Sequence, residues 1–109
     1  MITRIARASA LDYLKYLVGG NPRDEWHFEA GGLRGSVLNE WRHGAKLFLN
    51  EQQVDSNTKR IETSGRKAVM SATFLDERGA TRTVAVFVRA ILSVKVRVEV
   101  DGKSLAGFC

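Results

Sequence analysis

Side chains suited to acid–base, nucleophilic or metal chemistry are few: two histidines, His27 and His43, and one cysteine, Cys109. Covalent catalysis needs a hydroxyl or thiol beside a base, with a third group orienting that base. Period-two alternation puts His27 in a strand, His43 falls beside one, and no Gly-x-Ser-x-Gly string accompanies either. Cys109 stands last in the sequence, a poor position from which to hold a nucleophile. These three residues also lack the paired spacing, Cys-x-x-Cys or His-x-x-x-His, that offers two ligands to one ion. Carboxylates adjoin only at Asp24-Glu25 and Asp76-Glu77. Strand neighbours point to opposite faces and the second pair lies in a turn, so both read as solvated charges. Gly31-Gly32-Leu33-Arg34-Gly35 resembles a phosphate cradle, but the Lys and Ser/Thr of a P-loop are missing and no helical pattern follows. It reads as a hairpin turn with a bulge. No catalytic, metal or cofactor site is expected, and the chain reads as non-enzymatic.

The basic residues form a second candidate set. Lys59, Arg60, Arg66 and Lys67 bracket a polar stretch over 55–67, while Arg82, Arg89, Lys95 and Arg97 lie on the two closing strands. Arg60, Arg66, Lys67, Lys95 and Arg97 on one surface would contact phosphates. A nucleic-acid platform also requires exposed aromatics among the cations. Phe74 and Phe87 sit between aliphatic residues and read as core, and no RNP-type string is present. Solvated strand faces account for the same charges. Seventeen Lys and Arg against twelve Asp and Glu leave a net charge of +5, which suits an acidic partner without requiring one.

Positioning such groups falls to a β scaffold. Residues 81–105 hold the densest β-branched run: Val94, Val96, Val98 and Val100 alternate with Lys95, Arg97 and Glu99, and Asp101-Gly102 signals a turn. In 84–88 both faces are apolar, so both are expected to be covered. Earlier strands are expected around 26–30, 37–41, 46–49 and 68–75, with a long loop over 55–67. Ahead of them, Ala10, Leu11, Leu14, Leu17 and Val18 make one helical stripe, which Ile2, Ile5 and Ala6 could extend backwards. Gly19-Gly20-Asn21-Pro22 stops it. With 109 residues, 44% hydrophobic and 27% charged, the chain suits one globular domain. The expected architecture is mainly β: a single-domain antiparallel β-sandwich, or partly open barrel, with one N-terminal amphipathic α-helix. Residues 1–22 form the helix and its cap and 23–109 the β domain. No run approaches the about 18 apolar residues of a membrane span, the N-terminus reads as mature sequence, and the unpaired cysteine suggests the cytoplasm.

Residues 47–54 and 98–105 share one pattern: strand, Asn or Asp turn, polar residues, aliphatic. Together with the Trp26-His27-Phe28 strand, these segments resemble the Fas apoptotic inhibitory molecule family over roughly residues 25–106. Asn50-Glu51 stands where that pattern has Asp-Gly, and the N-terminal helix has no counterpart. The resemblance implies a β-sandwich that acts through protein contacts and is not an enzyme. The leading expectation is therefore a protein-interaction domain. Its partner would be an acidic protein or a second copy of the chain, and it would engage the helix face at Leu11, Leu14 and Leu17 or a sheet edge. The alternative is a nucleic-acid-binding domain.

Overall fold

The computed structural model describes residues 2–6, 10–58, 64–90 and 93–109, with residues 10–13 described in backbone only. The described residues form β1 (Ile2–Ala6), α1 (Ala10–Leu17), β2 (Arg23–Ala30), β3 (Leu33–Glu40), β4 (Gly44–Leu49), β5 (Gln52–Asn57), β6 (Met70–Leu75), β7 (Thr81–Ala90), β8 (Val94–Val100) and β9 (Lys103–Ser104). The chain is mainly β. Strands β1 to β5 form one antiparallel sheet in sequence order, and β6 to β9 form a second. No helix among the described residues is long and apolar enough to cross a membrane.

Alternation builds the core. Val84, Val86 and Val88 pair across the ladder with Val100, Val98 and Val96, giving a valine layer on one face of the second sheet. Trp26, Val37 and Leu47 from the first sheet join the same cluster, and all three are fully buried. Gly35 is the gap in this layer: the Phe28 ring of the paired strand lies over it, and an added Cβ would fall 2.1 Å from Phe28 Cζ.

Side chains tie the sheets together along their margins. Asp55 accepts a hydrogen bond from the Ser71 amide at 2.9 Å, and the Asn57 amide donates to the Val69 carbonyl at 3.1 Å, linking β5 to β6. On the far side the C-terminal segment runs beside β8, with Val96 and Cys109 exchanging backbone bonds of 3.0 and 3.1 Å. The Trp26 indole donates to the Cys109 carbonyl at 3.0 Å. The β4–β5 and β8–β9 hairpins use the same turn, with Asn50-Glu51 at φ 49° and 67° and Asp101-Gly102 at φ 51° and 81°. The likeness of 47–54 to 98–105 thus reflects shared turn chemistry.

Three expectations are corrected here. Ile2–Ala6 does not extend a helix; it is an edge strand paired with β2. A bulge between Arg4 and Ala6 pushes Ile5 outward and turns a strand's alternation into helix-like spacing. No helix leads the chain: α1 is a short insertion between β1 and β2, with described side chains only from Leu14 onward. The long loop expected over 55–67 begins as strand, because β5 reaches Asn57; its residues 59–63 lie outside the described residues.

Candidate functional site

Helix α1 has eight residues, too few to persist in water by propensity alone, so its contacts with the body decide whether it forms. Its end is well made. Gly20 N–H bonds the Lys15 carbonyl at 2.7 Å and Gly19 N–H the Tyr16 carbonyl at 3.2 Å, the paired closure of a Schellman motif. Gly19 takes the left-handed φ of 101° that this closure requires. Arg42, from the β3–β4 turn, then caps the exposed carbonyls: its Nε donates to Gly20 O at 2.6 Å and its Nη2 to Tyr16 O. Its guanidinium lies 4.5 Å over the Tyr16 ring, and that ring meets Trp41 edge-on at 5.4 Å. The turn is itself braced, since Arg42 N–H donates to Asn21 Oδ1 and the Trp41 indole to buried Asp24.

Docking through Tyr16 fixes the helix rotation. At about 100° per residue, Tyr16 lies opposite Leu14, while Leu17 and Val18 fall on Leu14's side. Leu14, Leu17 and Val18 are accordingly 58%, 59% and 85% exposed. The apolar stripe, which a self-contained domain would turn inward, faces water. Leu11 belongs to the stripe by spacing, but its side chain is outside the described set.

The outward face of the second sheet carries the basic residues. Arg89 pairs with Lys95 and Phe87 with Arg97 across β7 and β8. The Arg97 guanidinium lies 4.4 Å from the Phe87 centroid and 5.0 Å from that of Phe108. Arg89 lies 4.4 Å from Phe108. Phe87 is therefore no core residue; what covers it is an arginine and, beyond that, an aromatic near the C-terminus. Phe74 does pack on the core. Arg66 and Lys67 are exposed just beyond Ser64, whose backbone bridges to Arg89. Arg60 lies outside the described residues.

The remaining candidates disperse. His27 and His43 are exposed on different parts of the first sheet, His27 with Nε2 3.7 Å from Glu25 Oε1. His27 borders an open groove of about 470 Å³ that Thr3, Ile5, Glu29 and Arg34 also line. Asp24 is not solvated as expected but 2% exposed, because Trp41 folds over it. Gly31 and Gly32 make the β2–β3 turn with positive φ and continuous register, a hairpin without the expected bulge. Among the described residues no group of three His, Cys, Asp or Glu could hold a metal. Asp76 and Asp101 have carboxyls held below the usual range, Asp76 first by the Ala80 amide and then by the Arg78 amide and Arg82, Asp101 first by the Thr83 amide and then by Arg82. Arg82 links them, which marks a structural clamp across the β6–β7 and β8–β9 turns.

Sequence reasoning missed Arg42, Tyr16, Trp41 and Phe108 as site-forming residues. The signals were an aromatic on the far side of the leucine stripe and an arginine beside a tight turn. No family model, curated protein or solved structure matches the chain.

Proposed function

We propose that this chain is a non-enzymatic protein-interaction module: a β-sandwich that holds a short helix against one turn and offers its apolar side to a protein partner. The observation that carries this reading is the outward aim of Leu14, Leu17 and Val18 on a helix whose other side is pinned by Tyr16 and Arg42. A helix retained only for local stability would bury its leucines. The sheet-edge mode is less favoured, because backbone groups of Val69 and Ser71 already engage Asn57 and Asp55 and the C-terminal segment runs along β8. A net charge of +5 would speed encounter with an acidic partner.

Quantitative capture from the native cell with wild-type, Leu14→Asp and Lys95→Glu baits tests the proposal. A partner held by wild type and Lys95→Glu but lost with Leu14→Asp supports it. Sedimentation of the isolated chain shows whether that partner is a second copy. Partners indifferent to Leu14→Asp would overturn it.

A further inference from the structure

The outer face of β7 and β8 has a composition that stability alone does not demand. Arg89, Lys95 and Arg97 lie on this face, exposed Arg66 and Lys67 follow the Ser64 bridge at its rim, and among the described residues of β7 and β8 on this face Glu99 is the carboxylate. Glu99 approaches Arg97 Nε at 3.1 Å, yet that nitrogen is buried and forms no hydrogen bond. The Arg97 guanidinium lies near two rings, Phe87 and Phe108, Arg89 also approaches Phe108, and both rings remain partly exposed. Gly65 keeps the rim loop close: a Cβ there would come within 2.6 Å of Phe108 Cζ.

We infer that this face binds single-stranded nucleic acid, with Arg89, Lys95, Arg66 and Lys67 taking phosphates and the Arg97–Phe108 pair stacking a base. Charge complementarity selects a polyanion, and the rings select among polyanions. A guanidinium plane over an aromatic ring presents a flat, polarisable surface that a base can cover or displace. The carboxylate side chains of an acidic polypeptide carry no ring to place there, and a duplex keeps its bases stacked inside. Backbone contacts combined with stacking imply binding that tolerates sequence. This face is separate from helix α1, so the inference stands or falls independently of the protein-binding reading.

Fluorescence anisotropy with a labelled oligothymidylate of about 15 nucleotides tests it. With about four phosphates neutralised, log K should fall with log salt at a slope near −3, about sixtyfold between roughly 50 and 200 mM. Arg89→Glu/Lys95→Glu should abolish binding. Phe108→Leu should weaken it at least about fivefold, the low end for losing one stacked base, with the salt slope unchanged. Phe108→Tyr, which keeps the ring, should bind like wild type and shows that position 108 tolerates change. Buried Trp26 fluorescence reports that each variant is folded. No binding at about 50 mM salt would overturn the inference. So would equal affinity for a duplex of the same length, displacement by polyglutamate at equal charge, or Phe108→Leu binding as tightly as wild type.

Discussion

Replacing Leu14 with Asp separates a helix that serves the core from one that serves a partner. Leu14 is 58% exposed, so about two-fifths of it is removed from water. Full burial of a leucine side chain contributes about 1.5–3 kcal/mol, which bounds the apolar loss here at roughly 1 kcal/mol. The lower helix propensity of aspartate adds about 0.5 kcal/mol. The expected cost is therefore no more than about 1.5 kcal/mol. Were Leu14 a core residue, even Leu14→Ala would cost about 2–5 kcal/mol, and a buried aspartate more. Urea unfolding followed by fluorescence suits the purpose, because Trp26 is fully buried. A modest shift of the midpoint at unchanged slope is expected. A loss above about 3 kcal/mol, or no cooperative transition, would refute the assignment of Leu14 to an outward surface.

Other substitutions probe the scaffold. Glu51 holds φ 67° in a two-residue turn, so Glu51→Gly should relieve left-handed strain and gain about 1 kcal/mol after the entropy of glycine is counted. Calorimetry should show Tm rising by roughly 3–6 °C, and an unchanged or lower Tm would contradict this. Gly35→Ala should cost about 1–3 kcal/mol by displacing the Phe28 ring, and Phe28→Leu in the same chain should recover part of the loss. Asp76 and Asp101 have folded pKa values depressed by the Ala80 and Thr83 amides and by Arg82. Their contribution is therefore present above the unfolded value of about 3.9 and lost as pH falls through the folded one. The urea midpoint should drop below about pH 4, and Asp101→Asn should flatten that drop; equal slopes in both proteins would count against the clamp.

Much of the β core was legible because its cause is local. Val96, Val98 and Val100 alternate with charged residues, and each of the three points inward. Asp101-Gly102 forms the expected turn. What escaped depends on partners distant in sequence or on broken periodicity. Strand β1 was hidden because its bulge at Ile5 produces i, i+3 spacing, and β5 because the bulge at Val54 interrupts a polar strand anchored by Asp55 and Asn57. Phe87 looked buried because its neighbours are aliphatic, yet its cover comes from Arg97 and Phe108. The leucine stripe of α1 was visible in the spacing. Its outward aim was not, since that follows from Tyr16 meeting Trp41 and Arg42 some twenty-five residues later.

Hydrogen exchange on the chain bound to the partner that wild type captures tests the central claim most directly. Slowed amide exchange is expected across residues 14–18 and the Arg42 turn, with Val94–Val100 unchanged. Protection confined to the sheets, with the helix exchanging as in the free chain, would contradict it.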